Sequence, residues 1–231
     1  MEGFALHFLF ILKIIHKILA YIKNNTNIAG GNTHAMNIFA LDKSPKKSAE
    51  MLVNSHIVKM PLESCQMLCT THHFFDKKTK APYKKSFVNH PCTIWVRESL
   101  SNYLWLTEHA YHLCLQYTNR YKKRHKCMEV VEWCINNYPK GLKDIGLTDF
   151  AIAMPVEYVV EGNPIQSYRE YYRIGKKHLH IYTNSEMPEF LVEKETDPIA
   201  TINIQSKRTT KQIRFYNQSD YDKFLSANNL K

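Results

Sequence analysis

The sequence predicts a mainly α-helical protein: a single compact helical domain with a small C-terminal β-hairpin appendage. Three observations carry that expectation. Apolar residues recur at helical spacing through most of residues 44–177, prolines paired with serine or asparagine stand at the starts of such runs, and the final forty residues look different, with two segments that could pair as strands. At 231 residues and 44% hydrophobic content, the chain can bury a substantial core as one domain with tails.

By composition the chain divides into a leader and linker (1–35), a helical domain (36–190) and an appendage (191–231). The apolar stretch 4–22 is interrupted by His7, Lys13, His16 and Lys17, too polar for a membrane span. Its lysines lie inside the apolar run rather than before it, which disfavours a secretion signal. A polar linker follows, and Met36 opens MNIFALD. The expectation is that the functional protein begins at Met36 and that the leader is an over-extended start.

Ser44 and Pro45 form a helix start. Helical spacing continues through Met51, Val53, Ile57, Val58, Leu62 and Met67, with Pro61 marking a kink or a boundary. Residues 76–86 read as a basic loop, and Pro91 opens a helix holding Trp95 and Arg97. Leu100, Tyr103, Leu104, Ala110, Tyr111, Cys114, Tyr117 and Tyr121 predict the longest helix, over 99–124, whose basic end complements the helix dipole. Further helices are expected over 128–137 and from Asn163 through Lys177. Segments 199–205 and 212–217 are expected to pair as the hairpin, with a short helix over 220–227.

Thirty-one Lys and Arg against twenty-one Asp and Glu give a formal charge of +10, which suits a polyanionic partner. DNA leads, because the basic residues are interleaved with Tyr and Trp that can stack on bases; a merely soluble basic surface also accounts for the charge. No membrane partner is expected, and the location is read as cytoplasmic. The six cysteines read as reduced core thiols. A metal site from Cys65, Cys69, His72 and His73 lacks paired Cys-x-x-Cys knuckles, so neither metal nor cofactor is expected. The chain also lacks phosphate-binding, dinucleotide, nucleophile-elbow and zincin motifs.

Two constellations remain. His56, Lys59 and Glu63 stand at i, i+3 and i+7, which puts imidazole, ammonium and carboxylate along one helix face among apolar neighbours. That setting suits proton transfer, and a salt-bridged helix face is the plainer account. Asn89, His90, Trp95, Asn102 and Trp105 gather amides, an imidazole and stacking planes; core tryptophans with a capping Asn-His pair explain them equally. Candidate DNA contacts are Lys84 and Lys85 in the basic loop, Asn89, His90 and Arg97, the run Arg120, Lys122, Lys123 and Arg124, and the cluster Tyr168, Arg169, Tyr171, Tyr172 and Lys176.

Three pieces of the sequence resemble the pyrimidine-dimer DNA glycosylases with associated lyase activity, called endonuclease V in phages. They are His56 and Glu63 in SHIVKMPLESCQM behind an apolar N-terminal segment, the long helix end LCLQYTNRYKKRH, and YREYYRIGKK preceded by MPVEY. The resemblance covers about 36–177. It implies an N-terminal α-amine that attacks the sugar C1′, displaces the base through a Schiff base and permits strand cleavage. It implies that Glu63 assists sugar opening and the lyase step, with His56 beside it. Met36 is then the candidate for supplying the amine. Two departures stand out. Leu62 and Gln66 occupy places where phage members carry DNA-holding arginines, and Met36 precedes Asn37 where those members expose a threonine. A chain starting at Met1 needs another amine, such as Lys59. The reading is a base-excision enzyme acting on damaged or modified pyrimidines; a transferase modifying bases in phage DNA and a non-catalytic nucleic-acid-binding module are the alternatives.

Overall fold

The computed structural model describes residues 36–192, 200–205, 210–215, 221, 222, 225 and 226. The leader and linker lie outside the described residues, as do the hairpin tip and parts of the expected last helix. The described fold is mainly helical, and its buried core runs from Met36 to Leu191.

The chain enters as an irregular segment, Met36 to Leu41, that is buried along its whole length. Helix α1 (Pro45–Glu50) follows, with Ser44 accepting from Lys47 N and Pro45 in the first turn. Helix α2 (Asn54–Phe75) comes after a break at 51–53. Of the kink or boundary expected at Pro61, the boundary is absent: the proline sits inside α2 and costs it one backbone hydrogen bond. Burial on both sides, through Ile57, Met60, Ser64, Cys65 and Leu68, holds the helix together across that gap.

Helix α3 (Pro91–Val96) is capped by His90, whose Nδ1 accepts from Cys92 N at 3.2 Å. Helix α4 (Leu100–Tyr121) matches α2 in length at 22 residues and packs against α1 and α2. It ends where Lys122 turns left-handed at φ 55°. Helix α5 (Met128–Asn136) closes the bundle against α4 and α2. The loop that follows is latched to the start of α4. Asp144 Oδ1 accepts from Ser99 Oγ and Ser101 Oγ, while Asn102 donates to Thr148 Oγ1 and accepts from Thr148 N. Trp95, Trp105 and Phe150 pack as an aromatic cluster inside this latch.

Helix α6 (Pro164–Glu170) is shorter than the expected helix to Lys177. At Tyr171 it widens into a five-residue π turn, Tyr171–Gly175, followed by a 3₁₀ turn, Lys177–Leu179. Gly175 belongs there because a Cβ would come within 2.7 Å of the Tyr171 ring. Strands β1 (Ala200–Gln205) and β2 (Thr210–Phe215) pair antiparallel, Ala200 opposite Phe215. Tyr221, Asp222, Leu225 and Ser226 are helical.

All six cysteines are free and buried. Among the described residues no group of three or more side chains could hold a metal, and none of their helices is long and apolar enough to cross a membrane.

Arg120 is a structural residue rather than a surface cation, at 3% exposure. Its guanidinium donates to Leu52 O, Asn54 Oδ1, Glu50 O and Ser185 Oγ, joining α4 to the α1–α2 junction and the C-terminal loop. Replacing Arg120 with alanine strands several buried acceptors, so a loss of about 3 kcal/mol is expected. Urea unfolding of wild type and variant measures it, and a change below about 0.5 kcal/mol would contradict the structural role.

Candidate active site

The site is built where the buried N-terminal segment crosses α2. Asn37 makes the crossing rigid. Its Oδ1 accepts from Ile38 N and Phe39 N at 2.8 and 2.9 Å, a turn that drives Phe39 to φ 43°, and its Nδ2 donates to Ala153 O at 2.7 Å. The segment is clamped further along by Ser48 Oγ, which donates to Phe39 O and accepts from Leu41 N, and by Arg169 Nε, which donates to Leu41 O.

These clamps aim the backbone N–H of Asn37 at Glu63 Oε2, 2.9 Å away. The other carboxylate oxygen, Oε1, lies 3.0 Å from Lys59 Nζ. Glu63 is 5% exposed, whereas the Lys59 side chain remains 46% exposed. A buried carboxylate is tolerated when it is paired and hydrogen-bonded, and here each oxygen faces a nitrogen. A carboxylate so placed can accept a proton and deliver it to an atom brought alongside.

His56, one turn earlier on α2, is part of the walls. Its ring stacks on Phe39 at 4.2 Å, and Nδ1 lies 2.7 Å from the Tyr172 hydroxyl. That hydroxyl also accepts from Val53 N at 3.0 Å, so a phenol hydrogen donated to Nδ1 completes the chain of bonds. Burial first, then the charges of Lys176 and Lys59, push the His56 pKa down to about 3. The imidazole is therefore neutral at physiological pH. Tyr171 stands beside Phe39 at 6.2 Å, with Lys176 Nζ over its ring at 4.9 Å.

The structure sorts the sequence-derived candidates. It brings together His56, Lys59, Glu63, Tyr172 and Lys176. The nitrogen at the carboxylate is that of Asn37, not of Met36, whose side chain is buried in the core. Lys84, Lys85, Asn89, Lys122, Lys123 and Arg124 are exposed. Arg124 is held by Glu132, 2.9 Å away, and by Glu129 at 3.7 Å. Others are committed to the fold. Tyr168 is fully buried and donates to Ala151 O, and Tyr172 is fully buried, so neither offers a face to a base. Arg169 pairs with Asp42 besides holding Leu41 O, and Arg97 covers Phe74 while donating to Val88 O. His90 caps α3, and Trp105 Nε1 donates to Lys43 O. The second constellation is thus a core and capping arrangement. Phe39 and Ala153 went unseen in the sequence, which carries no local signal for a turn closed by contacts 116 residues apart.

With that geometry in place, one comparison bears on the site. Residues 36–129, less than half of the chain, match the family model of the pyrimidine dimer DNA glycosylases, so this segment is similar to that family. Asn37, His56, Lys59 and Glu63 lie inside the match; Tyr172 and Lys176 lie beyond it. No curated protein and no solved structure matches the chain.

The neutral state of His56 has a measurable consequence. The unfolded chain takes up a histidine proton near pH 6.5, whereas native His56 does so only near pH 3. Its contribution to stability is complete above pH 6.5 and is lost as pH falls toward 3. His109 and His72, pushed down to about 3 and about 4 chiefly by burial, act in the same direction. Stability should therefore drop between pH 6.5 and 5 by on the order of 1 kcal/mol per such histidine. His56→Asn keeps an acceptor for Tyr172 and should flatten that dependence. Chemical denaturation across this range tests it, and parallel profiles for wild type and variant would refute the neutral buried imidazole.

Proposed function

We propose that the domain removes a damaged or modified pyrimidine from duplex DNA and then cleaves the strand as an AP lyase, using an amine held on the Glu63 carboxylate. The observation that carries this reading is the 2.9 Å bond from Asn37 N to Glu63 Oε2. In a chain that begins at Asn37 after processing through Met36, that nitrogen is an α-amine. It would attack C1′ of the extruded nucleotide as the base departs. Glu63 would then pass a proton to the ring oxygen, so that the sugar opens to a Schiff base, and elimination at C2′ would release the 3′ phosphate. Extrusion is required because the duplex hides C1′ and the base from a buried carboxylate.

Lys59 Nζ, at 3.0 Å from Oε1, supports a second assignment of the amine that needs no processing. An α-amine is ordinarily less basic than a lysine amine by about 2–3 pK units and is more often neutral at pH 7, which favours Asn37. The exposed basic residues Lys84, Lys85, Lys122 and Lys123, with Lys176 at the site's edge, would hold phosphates. The functional unit is 36–190, with the leader and the C-terminal segment, including the β1–β2 pair as a hairpin, as appendages. An intracellular setting follows from a DNA substrate.

Borohydride trapping on duplex carrying a pyrimidine dimer or an abasic site, followed by peptide mapping, tests this. An adduct at the α-amine of Asn37 supports the main assignment, and one at Lys59 the second. Absence of any adduct, with DNA binding retained, would leave a binding module, and donor-dependent mass gain of the DNA would mark a transferase. Glu63→Gln should lower single-turnover cleavage by roughly a hundredfold or more. Unchanged cleavage would remove Glu63 from the chemistry. Affinity for duplex should also fall steeply with salt, because counterions are released as phosphates are neutralised; a flat titration from low to physiological salt would contradict phosphate-driven binding.

A further inference from the structure

Helix α2 is buried over most of its surface, and the arc it leaves open is unexpectedly apolar. In its first half the exposed residues are Ser55, Val58, Lys59 and Leu62, with Gln66 half-buried. Val58 is 48% and Leu62 43% exposed. A helix advances about 100° per residue, so these side chains form one continuous stripe. Val58 and Leu62 stand at one side, Lys59 at the other, and the Glu63 carboxylate lies just beyond Lys59.

Both edges of the stripe are cationic. At the Val58 edge, His125 Nε2 lies 3.1 Å from Val58 O and fastens the segment 122–126 there, with Lys122, Lys123 and Lys126 exposed. At the Glu63 edge stands Lys176, close enough to His56 to depress its protonation. Two bulky aliphatics in the middle of a basic face, next to the reacting carboxylate, fit duplex DNA. Phosphates would meet the lysines at the edges, while the base stack, the one apolar part of DNA, would meet Val58 and Leu62.

We propose that Val58 and Leu62 are an apolar wedge that enters the base stack and occupies the space left by the nucleotide drawn to Glu63. Side chains of this kind, pressed between base steps, unstack and kink a duplex. The wedge supplies unstacking where no arginine reaches in from this helix: Leu62 and Gln66 offer shape and one amide instead of charge. This proposal rests on the glycosylase reading of the site, and its first readout does not require catalysis.

The probe is a duplex containing a pyrimidine dimer flanked by 2-aminopurine, whose fluorescence rises on unstacking, mixed with the full chain. Wild type and Glu63→Gln should both raise the fluorescence, whereas Val58→Ala/Leu62→Ala should not. The double variant should also lose at least about tenfold in single-turnover cleavage of that duplex, the factor that corresponds to 1.4 kcal/mol. The deficit should shrink to less than about threefold on a substrate in which the strand opposite the dimer is left unpaired, where unstacking is already supplied. Both residues are exposed, so thermal unfolding should be nearly unchanged, and a Leu62→Met variant should restore fluorescence and rate. Fluorescence equal to wild type in the double variant overturns the wedge. So does sedimentation that shows a wild-type dimer dissociated by Leu62→Ala, because a second copy then covers the stripe. If wild type raises the fluorescence through Val58 and Leu62 but cleaves nothing, the wedge stands and the catalytic reading fails.

Discussion

The bond between Asn37 N and the Glu63 carboxylate is the constraint around which the domain is arranged. A carboxylate at 5% exposure must have partners, and Lys59 reaches only one of its oxygens. The second is met by backbone from the other side, which requires the chain at 37–41 to run through the core. An irregular buried segment, paired with no strand among the described residues, leaves its own polar groups to be satisfied by side chains. That demand explains otherwise unrelated features: Ser48 in α1 turned inward to Phe39 and Leu41, Arg169 in α6 reaching back to Leu41, and the loop at Ala153 drawn onto the Asn37 side chain.

The same logic bears on the histidine. A neutral imidazole stacked on Phe39 and bonded to a buried phenol is a poor proton donor at neutral pH, despite its place beside the carboxylate. Its effect is to fix Phe39 and Tyr172, and thereby the crossing of the N-terminal segment over α2. In the proposed reaction, proton traffic falls to Glu63 rather than to the imidazole. The rim lysines, Lys176 and Lys59, add to burial in opposing protonation of His56.

Most helices were legible in the sequence because their signals are local. Ser44-Pro45, Asn163-Pro164 and the periodic run after Ser99 each name a start that the backbone adopts. The misreadings share a cause in tertiary packing. The local rule for proline allows a kink or a boundary at Pro61, whereas burial of the residues around it keeps α2 whole. The pairing of His56 with Glu63 on one face followed from spacing, but their partners at Asn37, Phe39 and Tyr172 depend on contacts across the chain.

The basic residues illustrate the limit most clearly, because Lys and Arg look alike in a charge count and behave differently here. Arg97, Arg120 and Arg169 donate to backbone carbonyls, as suits a planar group with five donors and a weak hold on water. Among the candidate phosphate contacts, the lysines at 84, 85, 122 and 123 stay at the surface, as suits a strongly hydrated ammonium on a long stem. A formal charge of +10 therefore overstates the field available from directed arginine contacts, and the surface relies on diffuse lysine charge. Such a surface attracts any duplex with little regard to sequence or damage. In the proposed reaction, discrimination then falls to groups that act only once the stack has opened: the buried carboxylate, and the stretch of α2 beside it that carries no charge at Val58 and Leu62.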